Sequence, residues 1–452
     1  MESIINLPGP AQNLKDSSFT FSKNNVTGTS LKALKYGVWL YFILLVFEGA
    51  LRKWLLPGLA TPILIIRDPL AIWLIYKSWR MQMLTSNFYL TSMVVIGIVG
   101  FFTAIFLGHK NLAVAIFGTR IFLIYFPLIF IIGKVFTAED VTDLGIFLLW
   151  LSVPMTILIA FQFYSPQSAW VNRGVGGDME GGGFSGALGY FRPPGTFSFT
   201  TGMVQFYSLV ACFIMYFIFK PKLVNKFLLA AAILALILSI PLSISRTLLF
   251  QVALTVLFSS IILSKKPAYL FKMLLALIAL AMLFLVINKI SFFNTALSAF
   301  TERFQNATES EGGLKEVFLD RFLGGMVGAL FGNDTIPFFG FGSGMGTNVG
   351  SRLLTGGNEF LISEGEWGRL IGELGPLFGL LAIAVRLSFC MQMAWACYKK
   401  VLVNDFLPWL LFSFGFIIFL QGQWAQPTTL GFATFVAGLI LALFKPRQSD
   451  PV

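Results

Sequence analysis

The chain has little charge and few of the residues that most soluble enzymes use for chemistry. Only 12% of its 452 residues are charged, and it contains three cysteines and one histidine. His109 alone cannot form a histidine-rich metal site, and the cysteines have no metal-ligand spacing and lie in apolar stretches. No Walker A, Ser-His-Asp or HExxH pattern occurs. We therefore predict no metal, no cofactor and no structural disulfide.

Long apolar runs dominate the sequence instead. Apolar residues make up 56% of the chain, which is typical of membrane proteins. Runs of about 18 residues or more can cross a bilayer, and they do so as helices because every backbone polar group must be satisfied in lipid. The sequence predicts an all-α integral membrane protein with about twelve transmembrane helices. The predicted spans are 36–53, 55–76, 88–108, 112–133, 143–164, 201–219, 224–244, 247–264, 268–287, 366–395, 405–423 and 427–444.

The net charge of +11 maps onto the connections between spans, so it does not indicate nucleic-acid binding. Lysines and arginines cluster in short loops, which face the cytoplasm together with both termini by the positive-inside rule. The predicted organisation is a disordered cytoplasmic tail (1–35), helices 1–9 with a glycine-rich outer loop at 165–200 (36–287), a long extracytoplasmic loop with amphipathic helices before helix 10 (288–365), helices 10–12 (366–444) and a cytoplasmic tail (445–452).

Three arginines lie within or at the ends of apolar spans on the side predicted to be outside. A charge inside the hydrocarbon costs about 2.5 kcal/mol or more, so such residues are functional candidates. Arg120, Arg192 and Arg246 are expected at similar depth, which favours a shared polyanionic ligand such as pyrophosphate. The alternative is that each arginine anchors its helix at the membrane interface.

A second charged group lies deeper in the predicted membrane. Arg67 and Asp68 precede Pro69, which kinks the second span, and Glu48 lies near the outer end of the first span. These residues could support the ligand site. Alternatively, Arg67 forms a structural ion pair with Glu48 or Asp68, and Glu48 pairs with Arg52 on one helix face.

The candidate general base is a carboxylate at the entry to the tenth span. Glu364 and Glu366 stand where a polar loop enters an apolar helix, and desolvation there can make a carboxylate more basic. Solvated loop carboxylates are the alternative. Glu366 is expected to cap the positive helix end, Arg369 is a further supporting residue, and Arg386 is expected to extend to the cytoplasmic interface. Other acidic candidates are Asp178, Glu180 and Glu359.

Four short patterns follow one another in an informative order. They are an arginine-glycine-threonine segment before a span (Phe191–Phe197), a serine-rich arginine motif ending a span (Ser243–Arg246), a glycine turn (Phe339–Gly344) and a helix entry (Gly372–Gly379). This set, with the long outer loop before span ten, resembles the O-antigen ligase and O-antigen polymerase superfamily over roughly 190–380. The ligases carry a histidine-asparagine pair where this chain has Glu364-Gly365, so Glu364 either replaces the histidine or the chemistry differs.

The resemblance implies a metal-independent inverting glycosyl transfer at the outer face of the bacterial plasma (inner) membrane. The donor would be an oligosaccharide on undecaprenyl pyrophosphate, whose leaving group Arg192, Arg246 and Arg120 would hold while Glu364 deprotonates the acceptor. The acceptor would be another lipid-linked repeat unit in a polymerase or a lipid core in a ligase. A lipid-linked glycan flippase and an organic-anion transporter are the alternatives, and a broken helix at Arg67-Asp68-Pro69 would suit a transporter.

Overall fold

The computed structural model describes residues 28–265, 291–310, 324–331, 336–357 and 361–445. Seven helical stretches in these ranges are long and apolar enough to cross a membrane: Thr29–Leu55, Pro57–Arg80, Phe88–Phe106, Leu112–Val135, Ala138–Tyr164, Thr200–Phe219 and Glu366–Leu402. Four shorter apolar helices accompany them: Lys226–Leu242, Arg246–Ile262, Leu407–Gln421 and Pro427–Ala442. The fold agrees with the predicted all-α membrane class. The count of about twelve transmembrane helices remains a prediction, because the predicted span 268–287 lies outside the described residues.

The helices are numbered here in chain order. The first part of the chain forms α1 (Gly28–Ala50), α2 (Ala60–Ile63), α3 (Arg67–Arg80), α4 (Phe88–Phe106), α5 (Leu112–Arg120), α6 (Phe126–Val135), α7 (Ala138–Tyr164), α8 (Thr200–Phe219), α9 (Lys226–Leu242) and α10 (Arg246–Lys265). The second part forms α11 (Ser291–Ser310), α12 (Gly325–Phe331), α13 (Asn348–Thr355), α14 (Glu366–Leu402), α15 (Leu407–Gln421) and α16 (Pro427–Ala442).

The predicted tail and loop helices are only partly within the described residues. Because α1 begins at Gly28, residues 28–35 of the predicted disordered tail are helical. The predicted amphipathic helix 293–305 corresponds to α11, and residues 325–331 of the predicted helix 315–331 correspond to α12. Residues 1–27, 315–323 and 446–452 lie outside the described part of the chain.

The last helix, α16, lies at the centre of the bundle and is buried along most of its length. It packs against α6, α15, α8 and α1. Glycines allow the close approach: a Cβ at Gly438 would lie 2.5 Å from Ile132 Cβ, and one at Gly133 would lie 2.7 Å from Leu441 Cβ. Small residues at such contacts are how helices pack in lipid, where burial of apolar area gives no advantage between helices.

The helix α14 is a hairpin of two helical arms. Gly375 has φ 81° and ψ 167°, a conformation that is essentially confined to glycine, and Pro376 follows it. In a straight helix Glu366 and Arg386 would be about 30 Å apart. Instead Arg386 Nη1 lies 2.6 Å from Glu366 Oε1. The short arm, Glu366–Leu374, therefore folds back on the long arm, 376–402.

Two further helices are interrupted next to charged residues. A π-helical turn at Leu51–Leu55 extends α1 and contains Arg52, and a second one at Ile121–Tyr125 directly follows Arg120. Such π-turns are uncommon and often mark functional or strained positions in a helix. The second span is broken by turns at residues 64–66, immediately before Arg67, rather than bent at Pro69 itself.

A β-hairpin lies in the glycine-rich loop between α7 and α8. Strand β1 (Phe184–Ala187) pairs antiparallel with β2 (Tyr190–Arg192), so that Phe184 lies opposite Arg192. Leu188 and Gly189 connect them with φ values of 52° and 76°, the left-handed turn that two-residue hairpins favour. The helix α11 packs against β1 and also against α9 and α10. The helix α11 therefore contacts both the hairpin and α10.

Candidate functional site

The first charged group joins the C-terminal end of α1 to the broken second span. Arg67 is 1% exposed, and its Nε donates to Glu48 Oε2 at 2.9 Å while its Nη2 donates to the Pro427 carbonyl at 2.9 Å. A Cβ at Gly431 would collide with Arg67 Nη1, so the glycine makes room for the guanidinium. Arg52 lies 3.7 Å from the other oxygen of Glu48. The ion-pair interpretation is therefore confirmed for Arg67 with Glu48.

Arg120 belongs to the same group. Its Nη1 lies 2.7 Å from Asp68 Oδ2, and its guanidinium stacks on the Phe117 ring at 3.6 Å. The Tyr125 hydroxyl donates to the other oxygen of Asp68 at 2.5 Å. Glu48, Arg52, Arg67, Asp68 and Arg120 together form what we call the mid-span group. Two carboxylates offset most of its three cations.

A second charged group ties the two arms of α14 together. Glu366 accepts from Arg369 Nε at 3.0 Å and Nη2 at 2.8 Å, from Arg386 Nη1 at 2.6 Å and from the Trp424 backbone N–H at 3.1 Å. Glu373 accepts from Arg369 Nη1 at 2.6 Å and from the Gly346 N–H at 2.9 Å. We call Glu366, Arg369, Glu373 and Arg386 the Glu366 network.

Glu366 begins α14 and is the acidic residue of its first turn, as predicted, but its side chain also binds two arginines in the protein interior. One expectation is wrong. Arg386 does not extend to the cytoplasmic interface: it is 3% exposed and also donates to the carbonyls of Phe419 and Gly422. In a straight helix, residues 20 positions apart cannot touch. The Glu366–Arg386 pair therefore could not be predicted without knowing that the chain reverses at Gly375.

The predicted glycine turn supports that reversal. The Phe341 N–H donates to the Gly372 carbonyl at 2.8 Å, and the Gly342 N–H donates to the Glu373 carbonyl at 3.0 Å. His109 holds the turn from the other side. Its Nδ1 accepts from the Asn111 N–H at 3.0 Å, which leaves Nε2 protonated to donate to the Ser343 carbonyl at 3.1 Å. The single histidine therefore has a structural role.

Glu364, the predicted base, lies at the surface just before α14. Its side chain is exposed, so the desolvation argument made for it from the sequence does not apply. Its backbone carbonyl accepts from Gln423 Nε2 at 2.5 Å. The residue borders a small enclosed space that Arg369 and Gln426 also line. Glu359, another acidic candidate, lies outside the described residues.

Arg192 ends the hairpin and is partly buried. Its guanidinium lies 5.9 Å from the centre of the Phe184 ring, and its Nε is buried with no hydrogen-bond partner among the described residues. Burial, then the charge of Arg303 and then that of Arg246 lower the pKa of Arg192 to about 10. Arg192 is still cationic at neutral pH, in surroundings that disfavour its charge.

Arg246 begins α10 after a strained residue. Ile244 has φ 46°, a left-handed conformation that a β-branched residue rarely adopts. Such strain is concentrated at functional sites. The Ser245 hydroxyl accepts from the Leu248 N–H at 3.4 Å, and the free amide hydrogens of this first turn give the helix end a partial positive charge. A Cβ at Gly186 would lie 2.7 Å from Ile244 Cδ1, so this turn packs against the hairpin.

Arg303 and Glu302 of α11 are the candidate residues that the sequence interpretation missed. Arg303 acts on Arg192 more strongly than Arg246 does. Glu302 lines an open groove of about 300 Å³ between α11 and the hairpin tip, with a mostly polar lining: Leu188, Asn294, Leu297, Ser298, Thr301, Glu302 and Gln305. The sequence offered one signal for these two residues. They lie two and three positions after Phe300, on a helix whose apolar face is evident from the sequence.

The structure places Arg192 beside the turn that leads into Arg246, since a Cβ at Gly186 would lie 3.5 Å from Arg192 Cγ and 2.7 Å from Ile244 Cδ1. Arg192, Arg246 and Arg303 form what we call the arginine cluster. Arg120 is not among the charges that act on Arg192, and its partners belong to the mid-span group. Comparisons of this chain with protein families, curated proteins and solved structures find no match.

Proposed function

We propose that this protein transfers glycan units from undecaprenyl pyrophosphate to an acceptor glycan or lipid in a bacterial plasma membrane, as a polysaccharide polymerase or ligase. The observation that carries the proposal is the arginine cluster. Arg192 and Arg246, selected from two separate sequence patterns, are close enough for their charges to interact, although repulsion opposes this. A bound polyanion would offset that repulsion.

The cluster suits a diphosphate leaving group. In the proposed reaction an acceptor hydroxyl oxygen bonds to the anomeric carbon of the donor sugar while the bond from that carbon to the phosphate oxygen breaks. Negative charge then develops on the diphosphate, where Arg192, Arg246 and the N-terminus of α10 would stabilise it. Guanidinium groups suit this task because they stay charged and bind phosphate oxygens in pairs.

The acceptor proton passes to a carboxylate in this mechanism. Glu364 is the candidate from the sequence, and its exposed side chain is accessible to a bulky acceptor. Glu302 is a second candidate, because it lines the polar groove on the helix that carries Arg303. The amide and hydroxyl side chains of that groove are suited to hydrogen bonding with sugars. We therefore propose that the glycan lies along the groove and the diphosphate at the arginine cluster.

Transport of an organic anion is the second candidate function, and the broken second span before Arg67 favours it. Its predicted binding residues already have partners, since Arg67 binds Glu48 and Arg120 binds Asp68. A transporter would therefore have to open these ion pairs to admit its substrate.

Lysine substitutions test the proposed function. Arg192→Lys and Arg246→Lys keep the charge but lose the forked geometry, so each should reduce glycan polymer in complemented null cells by about tenfold or more. Polymer would be followed on gels stained for polysaccharide, with protein abundance measured in the same membranes. Arg80→Lys, the same change on an exposed side chain at the end of α3, is the control and should retain wild-type polymer. Wild-type polymer length in both cluster variants would refute the assignment.

A further inference from the structure

We infer that Glu364 lies near the middle of the membrane, on the floor of a water-filled vestibule. The residues just before α14 and the connection between α15 and α16 form this floor, and the vestibule opens on the membrane side opposite the lysine-bearing helix ends. The inference goes beyond the proposed function and does not rest on it. It concerns the access of water and polar solutes, which a transferase and a transporter would both need.

Tryptophan and lysine side chains mark one boundary of the membrane. On the long arm of α14, Lys399 Nζ lies 5.6 Å from the centre of the Trp395 ring, which stacks on Tyr398. Near the end of α3, Lys77 Nζ lies 5.1 Å from the centre of the Trp73 ring. Such side chains are enriched where a helix leaves the hydrocarbon. We call this level the lysine boundary.

The reversal of α14 brings its first residue back to the middle of the membrane. Arg386 lies nine residues before Trp395 and 13 before Lys399, so it is about 14–20 Å from the lysine boundary. Glu366 lies at the same depth, because its Oε1 is 2.6 Å from Arg386 Nη1. The hydrocarbon is about 30 Å thick. Glu364, two residues before Glu366, is therefore near its middle.

Two short helices place the α15–α16 connection at this depth independently. The helix α15 begins at the lysine boundary, where Lys400 Nζ lies 3.9 Å from Asp405 Oδ2. The helix α16 ends there, where Lys445 Nζ donates to the Phe136 carbonyl at 2.8 Å, just beyond the lysine-bearing end of α6. These helices have 15 and 16 residues, whereas a full crossing takes about 20. Their connection, residues 422–426, therefore stops short of the opposite boundary.

Polar groups at this depth have to be covered by protein or by water. The Glu364 side chain is exposed, so the described part of the chain does not cover it, and a charge that faces lipid is costly. Its carbonyl accepts from Gln423 Nε2 at 2.5 Å, and Gln426 Nε2 donates to Gln423 Oε1. The space beside Glu364, which Asn348 and Ser363 also line, has a volume of about 10 Å³, enough for about one water molecule. We therefore place water at this floor.

The route to the floor comes from the side opposite the lysine boundary. Towards the lysine boundary, most residues of α15 and nearly all of α16 are buried. Trp424 is 4% exposed, and the Arg386 guanidinium lies 3.8 Å from the centre of its ring, so the connection is sealed from below. In the proposed transferase, Glu364 can act as the base only if the acceptor enters from the open side.

Cysteine accessibility in oriented membrane vesicles tests this inference. Glu364→Cys and Ala425→Cys probe the floor, because both residues line the space described above. The reagent is a charged, membrane-impermeant methanethiosulfonate, and labelling is read as the loss of later maleimide labelling after denaturation. The thiolate is the reactive form, so a cysteine in water reacts and one that faces hydrocarbon does not. The native cysteines are buried, and the wild-type protein gives their background.

Three further positions calibrate the labelling. Ala384→Cys is the matched control, because Ala384 lies two residues before Arg386 and on the exposed side of the long arm together with Leu381. Its cysteine should face lipid at the depth of the floor. Ser185→Cys, exposed in β1, sets full labelling from the open side, and Leu402→Cys, exposed at the end of α14, sets it from the lysine boundary.

In right-side-out vesicles, both floor cysteines should reach at least about half the labelling of Ser185→Cys, and Ala384→Cys less than about a tenth. If neither floor cysteine reacts in protein that elutes as folded from size-exclusion chromatography, the vestibule is refuted. If Ala384→Cys reacts as fully as the floor cysteines, the assigned depth is wrong. If the floor cysteines react only in inverted vesicles, together with Leu402→Cys, the assigned opening is wrong.

These outcomes are distinct from those of the proposed function, because the labelling does not depend on glycan transfer. Labelled floor cysteines together with wild-type polymer in Arg192→Lys and Arg246→Lys cells would support the vestibule and refute the diphosphate assignment. Unlabelled floor cysteines together with polymer loss in those cells would refute the vestibule and leave the diphosphate assignment in place.

Discussion

Glu366→Gln should destabilise the protein more than any other single change at the entry to α14. The carboxylate is fully buried between the short arm, the long arm and the α15–α16 connection, and it accepts four hydrogen bonds, from Arg369, Arg386 and Trp424. Glutamine keeps the shape but removes the charge. Arg369 would then retain Glu373, whereas Arg386 would retain only the carbonyls of Phe419 and Gly422.

The magnitude follows from leaving a buried guanidinium without its counter-charge. Removal of one partner of a buried ion pair costs about 3–5 kcal/mol, because the remaining charge keeps its desolvation penalty. For a protein of this size such a change lowers the Tm on the order of 5 °C. Because a membrane protein unfolds irreversibly, the comparison requires one fixed heating rate.

The assay is thermal unfolding of purified variants in one detergent, followed by tryptophan fluorescence, to which Trp424 itself contributes. Glu364→Gln is the matched control: the same chemical change two residues away, on an exposed side chain, should leave the Tm unchanged. The double variant Glu366→Gln/Arg386→Gln should be less destabilised than the sum of the two single variants, since both remove the same interaction. A Glu366→Gln protein as stable as Glu364→Gln would refute the claim that the network holds the two arms together.

Two further predictions concern the hairpin of α14 and the catalytic base. Gly375→Ala should prevent accumulation of folded protein, because alanine disfavours φ 81° and its Cβ would collide with the Phe338 carbonyl. Size-exclusion chromatography measures the folded fraction. Gly328→Ala is the control and should behave like wild type, since the new Cβ meets nothing within 4 Å. If Glu364 is the base, Glu364→Gln should lower transfer between lipid-linked repeat units about 10²–10⁴-fold while leaving undecaprenyl diphosphate binding intact, and the same loss in Glu302→Gln would assign the base to the groove. Full activity in both variants would show that neither Glu364 nor Glu302 is the base.

Much of the helical fold could be predicted because it follows from local composition. Apolar runs predict helices in lipid, and Glu48 and Arg67, near each other in two successive spans, were recognised as a candidate ion pair. The reversal of α14 was not predicted, although Gly375-Pro376 is a typical turn dipeptide. A long apolar segment around that dipeptide gave the stronger helix signal. The partner of Arg386 therefore could not be identified from the sequence.

The arginine cluster was only half predictable for a related reason. Arg192 and Arg246 were recognisable because each interrupts or borders an apolar span, where a charge is costly. Arg303 lies on an amphipathic loop helix, where a charged residue is the default on the solvated side. Only the structure shows that α11 packs on the hairpin and on α10, where the Phe304 ring contacts Phe250.

Charge balance separates the three groups by role. In the Glu366 network two carboxylates face two arginines, so the group is neutral and its donors are used within the protein. The mid-span group joins two carboxylates to three cations through direct contacts, so it too is largely compensated. At Arg192 the interacting charges have the same sign. The two compensated groups hold neighbouring helices together through buried ion pairs, whereas the arginine cluster is the group to which the proposed function assigns the diphosphate.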